Sequence, residues 1–426
     1  MREEFFHFLW KYQLYEKASL CCTSGERVVV HHPGSHNFDA GPDFFNAKIQ
    51  IGDEFWVGNV EVHVRASDWT KHNHQLDKVY DSVILHVVGF DDKENVVRTN
   101  GSKIYCLQLD FDRRLEERYE AMVNTQNWIP CEQYLKNIDH FQIRQMMGRL
   151  LVENLGRKTE LIELELLRTQ SSWEEVFYFF LFKSFGFSLN SLPLELLAKS
   201  LPYRIILKHR GSLLSIEALL FGQAGLLTDT LSDSYCLRLK REYDHLKNMH
   251  GLKPIDRSLW KFLRIRPNNF PTLRIAQIAG LLYRHVNLFS SIIECRKIGD
   301  FQDFILKIPV SPYWESHYTL GKESRPTPKN IGYESFLLLA INLWIPFLFA
   351  YAHLSGNLTL KEDALNILDQ LKPENNRDLR KWKELGIPIN SAFDSQALIY
   401  LKKEYCLQHK CLQCSLGKKL VEAAHS

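Results

Sequence analysis

The period of the hydrophobic positions changes once along the chain. Residues 4–16 place Phe5, Phe8, Leu9, Tyr12 and Tyr15 on one side at helical spacing, which predicts an amphipathic helix. The period then falls to two. Strands are expected at 27–31, 47–51, 56–64, 82–88 and 103–109, with Gly52 and Asp53 turning the chain after the second. Ser67 is placed to cap a short helical or irregular stretch that reaches about Tyr80. From about Leu115 the helical period returns and persists, with helices expected at 141–167, 173–185, 214–227, 237–249, 272–288, 301–306 and 360–371. Residues 308–330, rich in Pro, Ser, Gly and Tyr, read as a long loop. The class that follows is α+β. A mixed α/β core is expected over 1–112 and a large all-α region over 113–426.

Residues 335–354 are long and uncharged enough to resemble a membrane span. They stand alone and contain Asn342, Pro346 and His353, so a buried core helix kinked at Pro346 is expected, and no membrane partner. Across the 426 residues, 45% hydrophobic and 24% charged side chains exclude disordered, collagenous and coiled-coil classes. The start is acidic and amphipathic, unlike an export signal, which points to a cytoplasmic protein with reduced thiols. Net charge is only +3, but residues 1–110 hold 11 basic and 16 acidic side chains, so the rest carries the positive excess. An acidic front and basic rear suit a metal-dependent site served by a polyanion-binding surface; ordinary scatter gives the same numbers.

The candidate chemistry is concentrated in the front. Seven of the 17 histidines fall between His31 and His86. Asp43 follows Gly41-Pro42, a pair suited to presenting it at a strand start. Glu61 and His63 project from one strand face, which Arg65 continues. A polar run with Asp68, Lys71, His72, His74 and Asp77 follows. Carboxylates from neighbouring strands bind Mg²⁺ or Mn²⁺ through oxygen. Such an ion polarises a phosphodiester and helps deprotonate water, while a nearby cation steadies transition-state charge. His72, His74 and Asp77 are candidates for a second metal, phosphate contacts or solvated loop positions. His86 reads as a core histidine and Asp68 as a cap.

Pro42-Asp43 followed by Glu61-Val62-His63 resembles the PD-(D/E)xK nuclease signature. The resemblance implies a restriction-endonuclease-like core in the order helix, three strands, helix, strand. It also implies Asp43 and Glu61 as metal carboxylates and hydrolysis of DNA. His63 stands where that superfamily has lysine. Three roles follow: His63 acts as base or metal ligand, Lys48 or Lys71 supplies the missing cation, or the site is inactive. An inactive site would leave a nucleic-acid-binding or assembly module. A third reading is a phosphoester hydrolase with histidine-ligated transition metal. Along the chain, His32-Pro33-Gly34, Gly41-Pro42-Asp43-Phe44, Gly58 to His63, Ser67-Asp68-Trp69, Leu85 to Val88, Arg264 to Pro271 and the cysteine tail resemble an uncharacterised bacterial family, a domain of unknown function.

Cys406, Cys411 and Cys414 form C-x4-C-x2-C, a spacing suited to zinc or an iron–sulfur cluster. Cys131 is the distant candidate for a fourth ligand, His409 the local one, and Cys21-Cys22 a weaker choice. Arg264, Arg266 and Arg274 flank a Pro- and Asn-rich turn, where they either clamp a phosphate chain or form internal ion pairs; Thr272 is placed to cap the next helix, with Pro271 just before it.

Overall fold

The computed structural model describes residues 2–37, 39–92 and 96–422. The chain packs as two units, residues 1–146 with 401–426, and residues 147–400. The first carries a mixed sheet and the second is mostly helical, so the class is α+β with a large helical region. The change of period near residue 112 and the packing division do not coincide. The helix Arg113–Val123 and residues 411–421 pack on the same core as the sheet.

In the first unit α1 (Glu3–Tyr12) opens with Glu3 and Glu4 and has Lys11 in its last turn, charges that complement the helix dipole. It ends at Gln13 in a left-handed conformation, short of the expected residue 16. The strands are β1 (Val28–His32), β2 (Ser35–His36), β3 (Phe44–Ile51), β4 (Glu54–Arg65), β5 (Val83–Phe90) and β6 (Tyr105–Gln108). Their order is β1-β3-β4-β5-β6, with β2 beside β3. β3 is antiparallel to β1 and β4, whereas β5 is parallel to β4 and β6. The β4-to-β5 crossover contains α2 (Asp68–Lys71) and two 3₁₀ turns, His74–Leu76 and Lys78–Ser82.

Strand alternation sets the faces. Ile49, Ile51, Val60, Val62, Leu85, Val87 and Leu107 enter the main core with Phe5, Phe6, Leu9 and Trp10 of α1. Glu61 and His63 therefore face the other way, toward the crossover. The parallel register sets Glu61 beside His86 and His63 beside Val88. Under the crossover lies a small second core of Trp69, Val83, Val96 and Ile104.

In the second unit the apolar segment Tyr333–Leu354 has the length and composition of a membrane span, yet 78% of its most apolar window is buried inside the structure. The disturbance expected at Pro346 takes the form of a π turn at Ala340–Trp344, just before Pro346 enters the first turn of Ile345–Leu354. A wider turn accommodates a residue that has no N–H to donate. The expected loop at 308–330 contains a 3₁₀ turn, Pro312–Glu315, and a small hairpin of His317–Thr319 with Lys322–Glu323. Thr272 is not a cap. Pro271 begins its helix, and the Thr272 hydroxyl donates to the Tyr318 carbonyl at 2.5 Å.

Candidate metal centre

Asp43 is presented as its sequence suggests. Gly41 takes φ +102°, a backbone that L side chains avoid, and the Asn37 side-chain amide ties together the carbonyls of Asp39, Ala40 and Pro42. The Asn37 N–H donates to the Asp43 carbonyl at 2.7 Å. Asp43 and Glu61 then lock to each other across β3 and β4. The Val62 N–H donates to Asp43 Oδ2 at 2.9 Å, and the Asp43 N–H donates to Glu61 Oε2 at 3.2 Å.

The other Glu61 oxygen faces imidazoles. Glu61 Oε1 lies 3.3 Å from His74 Nε2 and 3.6 Å from His63 Nε2. One nitrogen each of His63, His72 and His74 falls within 4.8 Å of the others. His63 Nε2 is 3.2 Å from His72 Nδ1, while His63 Nδ1 meets His86 Nε2 at 2.8 Å. If His63 Nδ1 holds the proton and donates to His86, its Nε2 lone pair faces Glu61 and His72. That tautomer suits a metal ligand with an outer partner. Trp69 and Tyr80 wall the site, with the Tyr80 ring 3.8 Å from that of His74.

The electrostatics fit a site that binds a divalent cation. His63 is 1% exposed and His86 fully buried; burial, with neighbouring imidazoles adding to it, holds both neutral, His86 at about 3. Neutral imidazole is the form that binds metal. Burial, and then the adjacent Asp43 carboxylate, raise the Glu61 pKa well above the usual range. The buried nitrogens His74 Nε2 and His7 Nε2 have no hydrogen-bond partner, although carboxylate oxygens face them. A divalent ion would relieve His74 Nε2 and the Glu61 carboxylate at once. His63, His72, His74 and Glu61 would hold it, with Asp43 the adjacent carboxylate.

Other expected site residues fall elsewhere. Lys48 is exposed and paired with Val57, which places it about 13 Å along the strand from Glu61. Asp77 caps the 3₁₀ turn Lys78–Ser82 through the Val79 N–H. Lys71 stands exposed beside His72, its ammonium 3.5 Å from Asp68. Arg65 lies over the Phe90 ring at the end of β4. Arg264 and Arg266 are exposed on the second unit. Arg274 is 2% exposed and bonded to Gln277, Asn269 and Ser335, so it pins the turn and is not free to clamp phosphate. Ser67 makes no cap; its hydroxyl and N–H bond Asp92. Cys131, Cys406, Cys411 and Cys414 all belong to the first unit.

Sequence reasoning missed His7. Its Nε2 lies 3.2 Å from Asp43 Oδ2 and 3.9 Å from Glu3 Oε1 on the same helix. Burial alone would lower its pKa, but the Asp43 carboxylate beside it carries it upward. The one available signal was a Glu3/His7 pair at i,i+4 in an otherwise apolar helix.

Neither the curated proteins nor the solved structures include a significant match to the chain. A family model described as "Protein of unknown function (DUF2851)" matches residues 3–377, which includes the whole histidine-rich site and stops before the three late cysteines. The chain therefore belongs to this DUF2851 family, whose function is not established.

Proposed function

We propose that the first unit is a divalent-metal-dependent hydrolase of phosphodiester bonds, with DNA as the favoured substrate. One observation carries this reading: a buried Glu61 set between Asp43 and three converging imidazoles, with orphaned nitrogens aimed at carboxylates. The element order (α1, antiparallel strands, crossover helix, parallel strand) supports it, because the resemblance to the PD-(D/E)xK superfamily implies that order. The resemblance itself stands on Pro42-Asp43 and Glu61-Val62-His63 alone.

The donor set favours Mn²⁺ or Zn²⁺ over Mg²⁺, since three imidazoles suit softer ions than an all-oxygen site does. When bound, such an ion polarises the phosphodiester and lowers the pKa of water. The chain's own groups do the rest. His63 supplies a neutral nitrogen fixed by His86, filling the position of the superfamily lysine as a ligand and not as a cation. His7, 3.2 Å from Asp43 and only partly exposed, is placed to move a proton at the edge of the site. Lys71, exposed beside His72 and 3.5 Å from Asp68, is the candidate cation for the phosphate.

Position 63 also favours a second reading. A neutral histidine there supplies no positive charge to the transition state, which suits a silent nucleic-acid-binding or assembly module. Cleavage of labelled single- and double-stranded DNA with Mg²⁺, Mn²⁺ or Zn²⁺ separates the two. Cleavage with Mn²⁺ or Zn²⁺ that is lost in Asp43→Ala and Glu61→Ala, both folded by circular dichroism, supports hydrolysis. No cleavage with any of the three ions, or cleavage surviving both substitutions, leaves the silent module.

A further inference from the structure

The late cysteines lie outside the family match and outside the hydrolase reading, and the fold brings them to Cys131. Cys411 is part of the main core beneath the sheet, with Leu412 and Val421, and Cys131 packs against that core. The Cys414 sulfur lies 3.9 Å from Met146 Sδ. None of the four is in a disulfide.

The local backbone is shaped to gather them. Cys406 ends a π turn, Lys402–Cys406, and the chain then doubles back. The Lys410 N–H donates to the Tyr405 carbonyl at 2.9 Å, and the Cys411 N–H to the His409 carbonyl at 2.8 Å. His409 takes φ 51°, and Gly417 is required because a Cβ there would sit 2.2 Å from the Cys411 carbonyl oxygen. Burial raises the Cys131 and Cys411 thiols to about 12, and each is pushed further by Cys414. Cys406 is raised by burial and then by Cys131, Cys414 and Cys411. Four thiols that perturb one another occupy one neighbourhood, though 275 residues separate Cys131 from Cys406.

Spacing decides what they hold. Four thiolates on a single zinc, at about 2.3 Å each, stand roughly 3.8 Å apart. Among the described residues, no three of these sulfurs converge within 4.8 Å as the imidazole nitrogens do. A [4Fe–4S] cluster binds each thiolate to its own iron and so spreads the sulfurs more widely. We propose that Cys131, Cys406, Cys411 and Cys414 hold an iron–sulfur cluster that staples residues 406–414 to the sheet unit. Each thiol gives up its proton on binding, and iron and sulfide are the components taken up. Lys402 lies beside Cys406 and 4.3 Å from the Trp128 ring centroid, where its charge offsets the four thiolates.

The test is elemental analysis and visible absorption of the full chain, purified without oxygen and then reconstituted with ferrous and ferric iron and sulfide. The expected result is iron and acid-labile sulfide in equal amounts with visible charge-transfer absorption. Both should persist in Cys21→Ser and fall about tenfold or more in Cys131→Ser and Cys414→Ser. Bound zinc without sulfide, no metal after reconstitution, or an unchanged cluster in Cys131→Ser would overturn the proposal. Should the serine variants fail to fold, the iron-to-sulfide ratio of the unaltered chain decides alone. DNA cleavage plays no part in this readout, so the hydrolase reading and the cluster stand or fall separately.

Discussion

Glu61 has two oxygens with different neighbours, and that asymmetry organises the centre. Oε2 closes the bond to the Asp43 backbone, while Oε1 faces His63 and His74. Glu61→Gln keeps the shape but removes the charge. Calorimetric titration with Mn²⁺ should show affinity reduced by more than about tenfold. The same variant should melt no lower than the unaltered chain, because it relieves a buried carboxylate. His86 carries a pH prediction. An unfolded imidazole takes its proton near pH 6.5, the buried one near 3, so between these values the unfolded state holds more protons and stability falls as pH falls. At pH 5 that is about 2 kcal/mol. Glu61, with a raised pKa, works in the opposite sense, so the comparison must be with His86→Gln in metal-free protein. Its drop in urea midpoint from pH 7 to pH 5 should be smaller than that of the unaltered chain; an equal drop would contradict the assignment. Asp43, Glu61 and His63 were legible because turn chemistry and strand alternation are local. Lys48 shows the limit: parity chose its face, but pairing with Val57 set it too far along the strand. His7 was illegible because only tertiary packing brings α1 to β3.

At the scale of elements, two glycines govern how closely the layers approach. A Cβ at Gly89 of β5 would sit 2.0 Å from the Phe6 ring of α1, and one at Gly58 of β4 would sit 2.3 Å from Ile84 Cγ2. Gly89→Ala should therefore lift α1 from the sheet and cost about 1–3 kcal/mol, read from urea unfolding. It should also weaken metal binding, since α1 carries His7 to Asp43. Unchanged stability would mean that α1 does not seat on β5 in this way. The expected strands and helices are present with ends displaced by a few residues, whereas helices such as Ser191–Ser200, Tyr203–His209, Arg377–Glu384 and Ala392–Leu401 were not expected from period. The misread positions are those where a side chain found a tertiary partner: Thr272 bonds Tyr318 instead of capping, and Ser67 bonds Asp92. Asp77, placed among the metal candidates, caps a turn that the sequence left irregular.

Across the whole molecule, the chain leaves the sheet unit at about residue 146 and returns to it at about residue 401. No hydrophobic period announces that return, and only the cysteine spacing hinted at it. Cys411, Leu412 and Val421 complete the core that holds Phe5, Leu115 and Met122. Removing residues 401–426 should expose that core, lower the melting temperature and speed proteolysis of the front unit; an equally protease-resistant truncated chain would show the segment to be peripheral. The uneven charge leads to a further expectation, that DNA affinity will weaken steeply as salt is raised. Asp43, Glu61, His63, His72 and His74 are proposed above as one metal centre. Equilibrium dialysis of the metal-stripped chain against Mn²⁺, Zn²⁺ and Mg²⁺ tests it most directly, with His74→Ala and Glu61→Gln alongside. Stoichiometric Mn²⁺ or Zn²⁺ should bind in preference to Mg²⁺, weakened by more than about tenfold in both folded variants. Dialysis that leaves no Mn²⁺ or Zn²⁺ on the chain, or the same amount on both variants, would contradict it.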